Sequence, residues 1–179
     1  MIPGSRFNTT DDEPWIEPLC ETIRAAHASG KALFGICFGH QAIARALGGV
    51  AGAAPPYNFT VDEIELDAPA SKLLGGRSSL RLYKSHGQQV LQAPPGAAVI
   101  ARSARTPVEM YTVGGNVFCC QGHPEFVSKQ PSTAVLAVLA VLALAPACLT
   151  LVSVRRLADE DGNGCDSRHD DRAQHIGRE

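Results

Sequence analysis

The chain has 179 residues, of which 45% are hydrophobic and 19% are charged, and its formal net charge is −2. This length and composition are typical of one globular domain with a sizeable core. The near-neutral charge and the lack of a basic run argue against nucleic-acid binding, because nucleic-acid-binding proteins carry clustered Lys and Arg. The six cysteines have neither disulfide nor zinc spacing, and the N-terminus lacks the pattern of a signal peptide. Together these features predict a reducing compartment, by default the cytoplasm.

The first third of the chain predicts a loop, a helix, a strand and a second helix. Residues 1–8 are rich in glycine and polar residues and predict a loop. An acidic run at 11–14 precedes a helix that ends at Gly30. Residues 31–36 predict a short buried strand that leads directly into the second helix. The first helix has a core-facing stripe at positions i, i+4 and i+7: Leu19, Ile23 and Ala26.

The middle of the chain predicts short strands separated by clusters of glycine, proline and serine. A strand–helix–strand unit followed by many short strands suits an open α/β sheet with an added antiparallel portion. The predicted strands are 62–66, 79–83, 97–102, 109–113 and 117–121.

The end of the chain differs in composition from the rest, and we divide the sequence into a domain at 1–130, an apolar helical segment at 131–156 and a disordered polar tail at 157–179. The uncharged run 133–154 reaches membrane-spanning length, but its alanine content and Pro146 argue against a span. A packed C-terminal helix is the favoured reading, and a non-native reading frame is the other alternative.

The most informative motif is the pentapeptide Gly-Ile-Cys-Phe-Gly at 35–39, which lies between an apolar run and a helical stretch. A strand, Gly-x-nucleophile-x-Gly and a helix form the nucleophile-elbow pattern. Both glycines are required because a Cβ would obstruct the sharp turn. The turn leaves Cys37 at a helix N-terminus, where unpaired N–H groups favour the reactive thiolate. The alternative, a buried structural cysteine, needs no flanking glycines.

The segment Gln-Gly-His-Pro-Glu-Phe at 121–126 supplies the partners that a nucleophilic cysteine needs. Pro124 favours an extended conformation at His123. Alternate residues of an extended segment share a face, so the Glu125 carboxylate can orient the His123 imidazole. Cysteine as nucleophile, histidine as base and glutamate as orienting group is the arrangement of covalent acyl transfer. A structural histidine and a solvated glutamate are the alternatives.

These motifs, in this order, resemble the class I (triad) glutamine amidotransferases, most closely their stand-alone gamma-glutamyl peptidase-like members. The resemblance implies a flavodoxin-like three-layer open α/β sheet. The family has an early strand and helix before the loop at 3–6, so the resemblance also implies an N-terminally truncated sheet in which the elbow strand lacks a neighbour. The resemblance runs from about residue 2 to about residue 126 and rests on 3–6, 11–15, 35–41, 85–90, 107–109 and 121–126.

The resemblance implies hydrolysis of glutamine or another gamma-glutamyl amide through a gamma-glutamyl thioester. Its catalytic residues are Cys37 as nucleophile, His123 as base and acid, and Glu125 as orienting group. The backbone N–H groups of Gly4 and Phe38 are expected to form the oxyanion hole. Ser5, next to Gly4, is expected to contact substrate. No metal and no organic cofactor is implied.

Several further side chains have predicted positions or roles, and for some of them two interpretations remain open. Gln41, one helical turn after the nucleophile, lines the substrate pocket or packs within the helix. His86 is expected on a pocket-rim loop as a structural or substrate-adjacent residue, not as a second base. His40 is expected to pack locally. Cys119 and Cys120 are expected to face opposite sides of a strand in the core, which argues against a redox pair.

Three functions remain open at the level of sequence. A stand-alone hydrolase would act on a small-molecule gamma-glutamyl substrate, whereas an ammonia-donating subunit would need a synthetase partner. The match at 85–90 and the lack of a fused synthase domain favour the stand-alone type. The third function is a non-catalytic remnant that binds a partner. A membrane-tethered hydrolase would rest on 133–154 alone and is not expected.

Overall fold

The computed structural model describes residues 1–126, and the predicted segments 131–156 and 157–179 lie outside the described residues. No helix within 1–126 is long and apolar enough to cross a membrane. The helices are α1 (Ile16–Ala28), α2 (Phe38–Ala46) and α3 (Ala68–Leu73). The strands are β1 (Leu33–Ile36), β2 (Val50–Leu66), β3 (Ser79–Gln92), β4 (Ala97–Arg102), β5 (Met110–Val113) and β6 (Val117–Cys120).

The first helix has the apolar stripe that the sequence predicts. Leu19, Ile23 and Ala26 are all buried, and they pack into the core that α1 shares with α2. The helix ends at Ala28, and Gly30 then takes a φ of 71°, which a residue without a Cβ adopts freely. The predicted helix and its stop signal are therefore confirmed.

All six strands form one sheet in the order β1-β6-β5-β4-β2-β3. β1 and β6 are parallel, and the other pairs are antiparallel. This pattern confirms the expected open α/β sheet with an antiparallel portion. Ile2 lies on the free side of β1, where its N–H donates to Phe34 O at 2.8 Å and its carbonyl accepts from Ile36 N at 3.0 Å. Ile2 therefore occupies part of the position beside β1 that was expected to lack a neighbouring strand. The predicted loop over 1–8 contains one β-bridge residue, Ile2.

The long β2–β3 hairpin is the largest departure from the sequence prediction. Strands were predicted only over 62–66 and 79–83, whereas β2 and β3 are 17 and 14 residues long. β2 begins before the predicted strand at 62–66, and β3 continues after the predicted strand at 79–83, so both extend toward the elbow. Two register shifts interrupt their pairing. The hairpin therefore forms one wall beside the elbow.

The residues on the buried face of β3 explain why the sequence did not predict the full length of this strand. Every second residue from 82 to 90 is buried, but three of these five side chains are polar: Lys84, His86 and Gln88. Polar residues on a buried face obscure the alternation by which a strand is recognised. The prediction that His86 lies on a loop was wrong, because His86 lies within β3 and opposite Asn58 of β2.

Strand β6, which pairs with β1, is buried on both faces of the sheet. Val117 and Cys119 of β6 face the core formed with α1 and α2, whereas Phe118 and Cys120 face a second core beneath α3. Strands covered on both faces are typical of the parallel part of an α/β sheet. The predicted opposite orientation and core packing of Cys119 and Cys120 are confirmed, and burial raises the pKa of each thiol to about 12.

Candidate active site

Cys37 lies in the sharp turn that joins β1 to α2, with φ 50° and ψ −103°. A Cβ on Gly35 would lie 2.5 Å from the carbonyl oxygen of Gly39, and a Cβ on Gly39 would lie 2.0 Å from the carbonyl oxygen of Ile2. Neither approach is compatible with a side chain, so the turn requires both glycines. The structure therefore has the strand–turn–helix geometry that the pentapeptide predicts.

The turn is fixed to the strand that leads to the predicted base. The Cys37 N–H donates to Cys120 O at 2.9 Å, at the end of β6. The Cys37 Sγ lies 3.8 Å from Ser85 O of β3, and the residue is 5% exposed. The nucleophile candidate is thus held between the end of β6 and the β2–β3 hairpin.

His123 follows β6 and lies close to both of its predicted partners. The predicted extended segment is wrong beyond His123, because residues 124 and 125 form a turn. Its Nδ1 lies 2.7 Å from Glu125 Oε1, and its N–H donates to Tyr83 O at 2.9 Å. Hydrogen bonding with the Cys37 side chain, and then with Glu125, raises the pKa of His123 to about 9. Since Nδ1 is bonded to the carboxylate, Nε2 is the ring nitrogen left for Cys37. The structure brings Cys37, His123 and Glu125 together, although they are up to 88 positions apart in the sequence.

Gly4 lies against the side chains of both Cys37 and His123. A Cβ built on Gly4 would lie 3.0 Å from His123 Cε1 and 3.6 Å from Cys37 Cβ. The Gly39 N–H donates to Pro3 O at 3.2 Å, which holds the N-terminal segment beside the turn. Phe38 is the first residue of α2, so its N–H has no partner within the helix. The two predicted oxyanion-hole residues therefore both lie next to Cys37.

A cavity of about 370 Å³ opens in front of Cys37. Its walls come from the N-terminal loop, the start of α2 and the β2–β3 hairpin. Among the predicted site residues it is lined by Ser5, Cys37, Phe38, Gln41 and His86, whereas Gly4, His123 and Glu125 are not among its lining residues. Sequence reasoning missed Arg6, Asn8, Tyr57 and Gln88, which line the same cavity.

Gln41 and His86 are bonded to the same stretch of β3. The Gln41 Nε2 donates to Gln88 O at 2.8 Å and to Gln121 Oε1 at 3.1 Å. The His86 Nδ1 lies 2.9 Å from Gln88 O, and its Nε2 lies 3.4 Å from Asn58 Nδ2. Burial, and then the charge of Lys84, lower the pKa of His86 to about 4. A neutral imidazole with both nitrogens engaged is a structural element of the cavity wall, which agrees with the prediction that it is not a second base.

A fully buried ion pair lies behind the segment that carries His123. Lys84 and Glu109 are both inaccessible to solvent, and the Lys84 Nζ donates to Glu109 Oε2. Glu109 also accepts from Ser103 Oγ at 2.7 Å. A Cβ on Gly122 would lie 3.2 Å from the Lys84 Nζ, so the pair contacts the residue before His123. The sequence did not single out this pair, because its two members lie 25 residues apart.

The described part of the chain has no cluster of His, Cys, Asp or Glu that could hold a metal ion.

His40 is fully buried against Tyr111, with ring centroids 4.9 Å apart, as the prediction of local packing requires. Burial lowers the pKa of His40 to about 3, so it is neutral under ordinary conditions.

Comparison with known proteins identifies relatives of the whole arrangement. The chain matches the family model for "Glutamine amidotransferase class-I" over residues 3–141. It is 38% identical over 132 residues to "Gamma-glutamyl peptidase 4" of Arabidopsis thaliana, covering 70% of this chain and 53% of that protein. It is also 38% identical over 107 residues to the glutamine-hydrolyzing GMP synthase of Aeropyrum pernix, covering 60% of this chain and 21% of that protein.

A solved structure shares the fold. The crystal structure of a glutamine amidotransferase from Methylobacillus flagellatus superposes with a TM-score of 0.65 at 27% identity, and it covers 80% of this chain and 55% of the other. The expected flavodoxin-like α/β fold is confirmed by this likeness. The chain spans about half the length of the curated peptidases that it matches.

Proposed function

The chain belongs to the class I glutamine amidotransferase family, and from this premise we propose that it hydrolyses a gamma-glutamyl amide through a thioester on Cys37. The proposal is carried by the position of the Cys37 and His123 side chains, which both lie against Gly4, and by the Glu125 carboxylate, 2.7 Å from His123 Nδ1. A nucleophile, a base within reach and a carboxylate that orients the base are the parts of covalent acyl transfer.

In the first step the Cys37 sulfur attacks the side-chain carbonyl carbon of the gamma-glutamyl group. A C–S bond forms, and the carbonyl oxygen takes the negative charge, which the N–H groups of Phe38 and Gly4 stabilise. The tetrahedral intermediate collapses as the C–N bond breaks, and His123 gives its proton to the leaving nitrogen. In the second step His123 takes a proton from water, the water oxygen attacks the thioester, and glutamate leaves as the C–S bond breaks.

The charge state of His123 supports this sequence of steps. A pKa of about 9 keeps its imidazole protonated at neutral pH. An imidazolium beside the sulfur provides a counter-ion for the attacking thiolate and a proton for the leaving amine. Glu125 stabilises this charged form and fixes the ring through Nδ1.

Two substrates compete within this proposal. A stand-alone peptidase would cleave a small gamma-glutamyl peptide, as the name of the Arabidopsis relatives indicates for those proteins. An ammonia-donating subunit would hydrolyse glutamine for a synthetase partner, by analogy with the GMP synthase relatives. The match to the peptidases covers a larger share of both chains, which favours the gamma-glutamyl peptide. A cytoplasmic location stays a prediction, which the four free thiols of the described residues support.

The proposal is tested by incubating the purified full chain with 6-diazo-5-oxo-L-norleucine, an electrophilic glutamine analogue, and mapping the modified peptide by mass spectrometry. We expect one adduct on Cys37, together with release of glutamate from glutamine or from gamma-glutamyl-alanine. The ratio of the two rates distinguishes the two substrates. Cys20→Ala is the matched control, because Cys20 is a buried thiol of α1 that the mechanism does not use. An unlabelled Cys37 together with no glutamate release from either compound would reject the enzyme hypothesis and leave the non-catalytic alternative.

A further inference from the structure

The cavity in front of Cys37 has an unbalanced charge. Thirteen residues within 1–126 line it; none of these is Asp or Glu, and Arg6 is the one among them with a permanent positive charge. His86 also lines the cavity but is neutral, because its pKa is lowered to about 4. The cavity therefore favours a ligand that carries a carboxylate and disfavours one whose only charge is positive.

Arg6 is held at the cavity by aromatic packing rather than by an ion pair. Its guanidinium lies 4.9 Å from the ring centroid of Phe7. Phe7 packs edge-on against Trp15 at 5.5 Å, and Trp15 packs against Phe38 at 5.6 Å. This series of rings connects the guanidinium to the first residue of the helix that follows the nucleophile. A cation over an aromatic face keeps its hydrogen-bond donors free at its edge.

The guanidinium is available for a ligand. Arg6 is exposed, and within residues 1–126 it makes no ion pair with a carboxylate. The other arginines near this end of the chain, Arg24 and Arg45, are both paired with Glu17 on α1. An unpaired guanidinium that lines a cavity without acidic residues is suited to bidentate binding of a carboxylate.

We propose that Arg6 is a specificity-determining residue that binds the α-carboxylate of the gamma-glutamyl group. This inference rests on the proposed function. When the side-chain carbonyl carbon of a gamma-glutamyl group meets Cys37, its α-carboxylate lies at the far end of a three-carbon chain. Arg6 and Cys37 line the same cavity, so one extended acyl group can contact both. The site would therefore select gamma-glutamyl amides over otherwise identical amides that lack the α-carboxylate.

The test uses two substrates that differ only in this group, gamma-glutamyl-alanine and 4-aminobutyryl-alanine. Released alanine is measured for both, with the unmodified protein, Arg6→Met and Arg6→Lys. Arg81→Met is the matched control, because Arg81 is an exposed arginine of β3 that does not line the cavity. Thermal unfolding of each variant shows whether it is folded.

We expect the unmodified protein to prefer gamma-glutamyl-alanine by about 10- to 100-fold in kcat/KM, since a charge-assisted hydrogen bond contributes on that scale. Arg6→Met should lose this preference through a rise in KM for gamma-glutamyl-alanine, with a much smaller change on 4-aminobutyryl-alanine. Arg6→Lys should retain part of the preference, and Arg81→Met all of it. Equal losses on the two substrates in Arg6→Met, or an unchanged preference, would overturn the inference.

A binding measurement separates this inference from the failure of the proposed function. Calorimetric titration with L-glutamate compares the Cys37→Ser variant with the Cys37→Ser/Arg6→Met double variant. This measurement needs no turnover. Loss of glutamate binding on Arg6→Met supports the inference even where neither substrate is cleaved. Equal affinity of the two proteins for glutamate contradicts it, whatever the catalytic activity.

Discussion

The pH dependence of kcat/KM follows from the surroundings of His123. The Cys37 side chain, followed by Glu125, raises its pKa from the ordinary value near 6.5 to about 9. At pH 8 a group of pKa about 9 is roughly 90% protonated, whereas an ordinary imidazole is roughly 3% protonated, a ratio of about 30. Because the imidazolium gives its proton to the leaving amine, activity is present below the raised pKa and lost as pH rises through it. We expect kcat/KM to hold to about pH 8 and to fall about tenfold per pH unit above about pH 9.

Glu125→Gln tests the second cause of this raised pKa. The carboxylate lies 2.7 Å from Nδ1, but its side chain is 41% exposed, so water screens part of its effect. We expect the alkaline limb to move to lower pH by about one unit, because an opposite charge in contact shifts a pKa on that scale. Glu21→Gln, an exposed change on α1, should leave the limb in place.

Initial rates of alanine release from gamma-glutamyl-alanine, at substrate concentrations far below KM and at constant ionic strength, give kcat/KM directly. An alkaline limb near pH 6.5 to 7 in the unmodified protein would refute the assigned ionisation of His123, since that range, about the ordinary imidazole pKa, indicates no contact with Cys37. An identical limb in Glu125→Gln and Glu21→Gln would refute the orienting role of Glu125.

The remaining predictions concern backbone space and buried charge. Gly39→Ala should lower kcat at least about 100-fold, because its Cβ would displace the N-terminal bridge and with it an oxyanion-hole donor, whereas Gly115→Ala, which has open space, should have no effect. Gly4→Ala should lower kcat about tenfold by shifting the His123 imidazole, with little change in the urea midpoint. Lys84→Met should lower the free energy of unfolding by about 3 kcal/mol in urea titration, because it leaves the buried Glu109 carboxylate with the Ser103 hydroxyl but without a counter-charge. The Lys84→Met/Glu109→Gln double variant should recover much of this loss, and equal stability of the single and double variants would contradict the reasoning.

The spatial arrangement of Cys37, His123 and Glu125 was predictable because short local motifs encode most of it. The glycines around Cys37 specify a turn that excludes a Cβ. The contact of His123 with Glu125 was predicted from an extended segment, but it forms in a turn at 124–125 that is closed by the Phe126 N–H and His123 O at 3.3 Å. The apolar stripe of α1 follows in the same way from its spacing.

The cavity wall was not predictable for the opposite reason. The alternation along β3 is carried by Lys84, His86 and Gln88, which are polar residues that only tertiary contacts make buried. The short helix α3 begins with a bond from the Ala70 N–H to the Asp67 side chain at 2.9 Å, and its six residues are too few to show a helical period. The position of Arg6 at the cavity depends on Phe7 and its ring contacts, which a linear sequence does not display.

In the proposed mechanism the Cys37 sulfur carries the gamma-glutamyl group during turnover. The decisive measurement is acid quenching of the full chain during steady-state hydrolysis of gamma-glutamyl-alanine, followed by peptide mass spectrometry. We predict an adduct of one gamma-glutamyl group on the peptide that contains Cys37, and loss of both adduct and turnover in Cys37→Ala. Turnover that persists in Cys37→Ala, or an adduct on a different residue, would contradict the account.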